Sequence, residues 1–238
     1  NMVSTMFFTN NFMKLYEKNS LQLKYGREIT NGIYVNAFAE YAEKKPLLNT
    51  TDHKFIKTED VYSSNNPLAP EDFTSVAFQK FNFLKTGIES SITFKQQYVS
   101  RPDGKYNQGN DKYPKLFLGI DKGWVSTNNN NDYTLAKARI MYDIDLGNKG
   151  ELKINSRVGK FFNADAIAFT EFAHFNGNQT HVAGGLAYTN QFNLLPYYSM
   201  STNKSYFETH IELHNEGFIM NKIPLLNKLQ SKLVLGDR

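Results

Sequence analysis

Cysteine is absent from these 238 residues, so neither a disulfide framework nor a thiolate metal site can form. That absence suits a cytoplasmic protein and an envelope protein equally. Charge of one sign is also scarce: the formal net charge is +4 at pH 7. Lys and Arg are spread along the chain instead of forming the basic patch that nucleic-acid binding requires, which excludes nucleic acid as a partner. No run approaches the ~18 consecutive apolar residues of a membrane helix. Residues 1–14 lack the basic start and apolar block of a signal peptide. Also missing are a nucleophile elbow and a phosphate-binding glycine loop. The chain opens on Asn1 and stops within a strand-like pattern at "VLGDR", so an internal piece of a longer protein is expected.

What the chain does have is aromatic and polar residues together. Phe, Tyr and Trp make up 14% and the mean hydropathy is −0.51, a combination that suits strands. Period-two alternation recurs along the sequence. In "KLFLGIDKGW", Leu116, Leu118, Ile120 and Trp124 share one face, opposite Phe117, Gly119, Asp121 and Gly123. In "TLAKARIMYDIDL", Ala136, Ala138, Ile140, Tyr142 and Ile144 oppose Lys137, Arg139, Asp143 and Asp145. After a turn at Gly147–Gly150, Leu152, Ile154, Val158 and Phe162 oppose Glu151, Lys153, Asn155 and Arg157. Leu21, Leu23 and Tyr25 precede an Asn31–Gly32 turn, with Ile33, Val35, Ala37, Ala39 and Tyr41 after it. Ile88, Ile92, Phe94 and Tyr98 oppose Glu89, Thr93, Lys95 and Gln97.

These runs extend over ten or more residues, whereas strands of soluble sandwiches are usually ~5–6 long and a tilted strand crossing a bilayer needs ~9–11. The fold class expected is all-β: an antiparallel transmembrane β-barrel, incomplete in this chain, with long outer loops and short periplasmic turns. A soluble antiparallel sheet with one wet face gives the same alternation in shorter strands. Residues 1–238 form part of one barrel domain on this reading. The lumen-facing polar set is Glu89, Lys95, Lys137, Arg139, Asp143, Asp145, Glu151, Lys153, Arg157, Glu208, His210, Glu212 and His214. The lipid-facing set is Leu116, Leu118, Ile120, Ile140, Ile144, Leu152, Ile154, Val158, Phe207, Ile211 and Leu213. Tyr98, Trp124, Tyr142, Phe161 and Phe162 stand near strand ends as an aromatic girdle.

Sidedness is consistent if Glu43 to about Lys85 is one outer excursion, "VSRPDGKYNQGNDKYP" an inner connection and "VSTNNNND" an outer loop. The segment from Phe73 to Leu84 is then not a separate crossing. Asn163–Ser205 reads as a long outer loop with embedded short strands. "NKIPLLNKLQSKL" suggests an in-plane helical turn behind Pro224, with a last strand beginning near Leu229.

The stretch "SYFETHIELHNEGF" sets Glu208, His210, Glu212 and His214 at alternate positions. Two imidazoles and two carboxylates are metal-ligand types. Same-face neighbours on a strand lie ~7 Å apart, however, so one strand cannot wrap four of them around one ion. A row of wall residues is the simpler reading, and no metal or cofactor is assigned. Hydrolysis needs a nucleophile paired with a base on the barrel rim. Asp52–His53, His174 and His181 occupy outer loops, but the sequence supplies no pairing.

Three phrases carry a resemblance: "NFMKLYEKNSLQLKYGREITNGIYVNAFAEYAEKKPLLNTTD", "QQYVSRPDGKYNQGNDKYPKLFLGIDKGW" and "YFETHIELHNEGFIMNKIPLLNKLQSKLV". Together they resemble the C-terminal part of a bacteroidete outer-membrane family that has an N-terminal carboxypeptidase-regulatory-like domain ahead of a domain of unknown function. "NDYTLAKARIMYDIDLGNKGELKINSRVGKFF" is more distantly similar to BamA-type surface-antigen barrels. Those carry an Arg-Gly-aromatic tip in the following loop, and Asn163–Ser205 contains no arginine. The resemblance implies an outer-membrane location, and a regulatory-like domain and further strands outside this chain. It implies a non-catalytic role in assembly, export or uptake. The implied partners are outer-membrane lipid, lipopolysaccharide and other envelope proteins. The alternatives are an outer-membrane hydrolase with a rim active site and a soluble ligand-binding β-sheet protein.

Overall fold

A computed structural model describes residues 2–56, 59–109, 112–124, 132–179, 188–215, 217–218, 222 and 233–237. A short helix, α1 (Met2–Phe8), precedes ten strands: β1 (Tyr16–Thr30), β2 (Ile33–Pro46), β3 (Phe81–Thr93), β4 (Tyr98–Arg101), β5 (Gly104–Asn107), β6 (Lys115–Trp124), β7 (Tyr133–Asp145), β8 (Glu151–Phe162), β9 (Ser205–Asn215) and β10 (Leu233–Asp237). Eight of them form one antiparallel sheet in the order β1-β2-β3-β6-β7-β8-β9-β10, and β4 and β5 form a separate ribbon between β3 and β6. The chain therefore meanders up and down. β1 and β10 are its edges; among the described residues they do not pair with each other, and the sheet is open. No described helix is long and apolar enough to cross a membrane.

Local chemistry explains the turns. Asn31–Gly32 joins β1 to β2 in two residues, with Gly32 at φ +82°, a conformation glycine enters without strain. Gly150, at φ +114°, closes the β7–β8 turn, and a Cβ there would collide with the carbonyl oxygen of His214. Between the turns, β-branched and aromatic residues suit the pleat. The large-sheet strands other than β10 run 10–15 residues, or roughly 33–50 Å.

The two faces of the sheet are inverted relative to a soluble protein. On one face Leu21, Leu23, Tyr25, Ile88, Ile120 and Phe207 are exposed, Phe207 at 70%, while on the other Glu208, His210 and Glu212 are buried, Glu212 at 0%. Strict two-residue periodicity carries both outcomes, since alternate side chains on one strand point to opposite faces. The polar face is covered by the connection between β8 and β9 and, at the same end of the sheet, by an aromatic core. Phe78, Phe81, Phe83, Tyr133 and Phe161 pack there with Ile167 and Ala168, their rings in edge, tilted or stacked contact at 5.7–6.4 Å.

Several expectations are revised. The outer excursion is shorter at both ends, because β2 continues to Pro46 and β3 starts at Phe81. Phe81 and Phe83 sit on the polar face, so their aromatic character disguised the alternation there. Residues 47–80 contain no strand among those described, and Phe81–Leu84 belongs to β3. β3 ends at Thr93, which leaves Phe94 in a turn and Tyr98 in β4. The inner connection is itself folded into the β4–β5 ribbon. Between β8 and β9 the described residues hold no strand, only the bridges Ala173–Thr202 and Gly177–Phe192; glycine, proline and clustered aromatics there pack as irregular turns instead of pairing. Asn128–Asn131, His181 and the helical segment behind Pro224 lie outside the described residues, and the last strand begins at Leu233.

Candidate functional site

The polar face holds three groups of charges, each spanning several strands. Near the loop end, Glu171 sits in a single 3-10 turn, Phe169–Glu171, of the β8–β9 connection. One of its oxygens receives Lys44 from β2. The other accepts the Tyr133 hydroxyl from β7 at 2.9 Å and lies 3.6 Å from Lys85 of β3. Lys44 and Glu171 are both buried. Lys44 also stands 5.5 Å from the centre of the Tyr16 ring and 5.6 Å from that of Phe83. A buried pair of this kind is stable only when its remaining donors and acceptors are satisfied, and here they are met from three strands.

In the middle of the sheet, Lys137 bridges Asp121 at 3.1 Å and Glu89 at 3.3 Å. Gly119 stands opposite Lys137 in the register, and a Cβ on it would lie 2.7 Å from Lys137 Cε, so the glycine gives the lysine stem its bed. Gly159 does the same for the Tyr206 ring. Arg139 faces Arg157 directly across β7 and β8. The like charges are drawn to different partners: Arg157 donates to Glu208 at 2.5 Å, and Arg139 to Asn155 at 2.8 Å and Asn190 at 2.8 Å. Asn190 belongs to the β8–β9 connection, which is thereby held a second time.

The alternating row of β9 resolves into two pairs. Glu208 accepts from Arg157 and contacts His210 Nε2 at 2.6 Å, and Glu212 contacts His214 Nε2 at 2.9 Å. His210 is fully buried, with the Phe192 ring centred 4.6 Å away. Among the described residues no three His, Asp or Glu side chains are grouped as a metal would need. Towards the turn end, Glu151 and Lys153 pair at 3.1 Å, and Asp143 and Asp145 are exposed. Lys95 lies past the end of β3 in a turn, 5.0 Å from the Tyr113 ring centre. On the apolar face Leu118, Ile120, Ile140, Val158, Phe207 and Ile211 are exposed, and Leu116, Ile144, Leu152, Ile154 and Leu213 are half-buried.

A comparison with known protein families matches residues 1–237 to the C-terminal domain of a family of unknown function, DUF5686. The chain belongs to that family. No curated protein matches it. In this DUF5686 domain, sequence alternation missed Lys44, Lys85, Tyr133, Glu171 and Asn190. Lys44 lies where "EKKP" blurs the period, Tyr133 opens its strand, and Glu171 and Asn190 come from an irregular connection. The connection also pairs His174 Nδ1 with Ser201 Oγ at 2.7 Å, a contact no spacing rule announces. The Phe169 and Tyr198 rings packed on the partly open His174 imidazole desolvate it and shift it below its ordinary value, towards the neutral form.

Proposed function

We propose that this domain is part of an integral outer-membrane β-barrel, with the open sheet completed by further strands or by approach of its two edges. Its work is assembly, export or uptake across the envelope, without catalysis. One observation carries the reading: a continuous exposed apolar face stands on strands whose opposite face buries ion pairs. Exposed apolar areas of this extent mark a membrane or protein contact. Strands of 10–15 residues are long enough to span a tilted crossing. Unpaired backbone cannot face lipid, so β1 and β10 require partners there. The β8–β9 connection, clamped by Glu171 and Asn190 over the polar face, acts as an internal plug or gate.

The same reading places an N-terminal carboxypeptidase-regulatory-like domain ahead of this one and relates the sequence of residues 131–162 to BamA-type barrels. The missing loop arginine separates it from their insertion mechanism. Its partners are outer-membrane lipid, lipopolysaccharide and envelope proteins. Cell fractionation with heat-modifiable gel migration tests it. Recovery in the outer-membrane fraction, with a faster band before boiling, is expected. Extraction without detergent would overturn it.

The His174–Ser201 contact favours a second reading, a rim hydrolase in which the neutral imidazole draws the serine proton. Labelling by a fluorophosphonate probe that disappears in Ser201→Ala would support that reading, and an unlabelled protein would reject it.

A further inference from the structure

The apolar face contains a hollow. Ala37, Thr86, Ser90, Ala136 and Ala138 carry small side chains there, and Ile88, Leu118, Ile120 and Val158 stand among them, lining a depression of about 800 Å³. That lies within the ~300–1,000 Å³ that holds a small apolar ligand. The lining is overwhelmingly apolar, but Lys122 and Lys160 also belong to it.

Register places Lys122 in one row with Thr134 and Phe162, and Lys160 one same-face step further in, with Ala136 and Ile120. The two lysines stand two strands apart, so their Cα atoms are ~12 Å from each other. Only Thr134 and Ala136 rise between them. Both ammonium groups therefore reach one anion placed above β7. Lys122 is paired with Asp132 and lies 5.6 Å from the Trp124 ring centre. Lys160 is exposed, has no ion-pair partner among the described residues, and lies 5.3 Å from the Phe162 ring centre. Trp124 and Phe162 end their strands, at the level where girdle aromatics meet headgroups. A lysine on a lipid-facing row is costly at mid-depth and costs little near the interface, where its stem snorkels. Two of them above an apolar hollow match a molecule with an anionic head and a hydrocarbon tail.

We infer that this hollow is a binding site for one phosphorylated lipid of the outer leaflet, the lipopolysaccharide anchor, with an acyl chain in the depression and a phosphate between Lys122 and Lys160. The inference rests on the membrane reading above. It assigns the leaflet because the two longest connections, residues 47–80 and 163–204, both leave this end of the sheet, and long loops face outward.

The test is native mass spectrometry of the full-length protein extracted from outer membranes in mild detergent, with bound lipopolysaccharide counted per protein. One retained lipid is expected. Each lysine near the surface contributes about 1 kcal/mol, so the double variant Lys122→Ala/Lys160→Ala weakens retention roughly 30-fold. Ala136→Phe keeps both charges but fills the hollow, and also loses the lipid. Retention unchanged in both variants overturns the site, as does glycerophospholipid in its place or a second protein copy released by Ala136→Phe. Both variants must still migrate as heat-modifiable outer-membrane protein. Wild-type protein absent from that fraction overturns the membrane reading itself, whereas protein present there with unaltered lipid in the variants overturns the site alone.

Discussion

Tyr133 of β7 donates its hydroxyl to Glu171 at 2.9 Å, and through this carboxylate a loop turn is fastened to three strands. The other oxygen takes Lys44, and both members of that ion pair are almost wholly withdrawn from solvent. Removing one partner leaves a buried charge alone, which costs roughly 3–5 kcal/mol. Glu171→Gln should therefore lower the stability of the folded domain by about that amount in denaturant titrations. Lys44→Met added to it should recover part of the loss, since the two sites are coupled. Independent, additive losses would show that the pair is not a unit.

Ile140 is 40% exposed near the middle of β7 on the apolar face. In phospholipid vesicles Ile140→Arg should cost about 2–4 kcal/mol, because arginine at that depth leaves water for hydrocarbon. On a solvated sheet the same change stays within about 0.5 kcal/mol. Urea unfolding of the vesicle-inserted protein separates the two outcomes.

Gly150 combines a left-handed backbone with no room for a side chain. Gly150→Ala should destabilise by more than about 1 kcal/mol, and the β8–β9 pairing beside His214 should loosen first. Amide exchange of residues 151–154 measures it: protection equal to wild type would contradict the steric account.

His174 supplies a pH dependence of defined sign. Desolvation by the Phe169 and Tyr198 rings lowers its pKa from the ordinary 6.5, so the unfolded chain takes up the proton at a higher pH than the folded one. Its contribution is complete above pH 6.5 and declines as pH falls through the lowered folded value. Limited proteolysis of the β8–β9 connection should accelerate over that acid range, and His174→Gln should flatten the profile. A profile that His174→Gln leaves unchanged would assign the acid sensitivity to another group.

The strands were legible because both faces obey one period: Leu116 to Trp124, Thr134 to Ile144 and Leu152 to Phe162 all fall within β6, β7 and β8. Their inversion was not legible from period alone, since alternation is identical whether the apolar side faces inward or outward. Strand length is the feature of the sequence that bears on that direction. What escaped was the set of contacts made by irregular backbone. Glu171 meets Lys44 across 127 positions and Asn190 meets Arg139 across 51, distances at which no local pattern operates. The glycines of the polar face were equally hidden, because a residue without a side chain registers as a gap until the lysine or tyrosine it cradles is placed.

The up-and-down order of the sheet also sets a sequence of events in time. β1–β2 and β7–β8 are joined by tight turns and can close as hairpins in about 1–10 μs. β9 has to reach β8 across residues 163–204, a closure that costs more entropy and comes later. Of the residues that hold the connection in place, Lys44, Tyr133, Arg139 and Asn155 belong to the early hairpins and Lys85 to β3, which precedes β9 in the chain. The strands thus stand before the connection arrives, and Glu171 and Asn190 dock onto a surface already built to receive them.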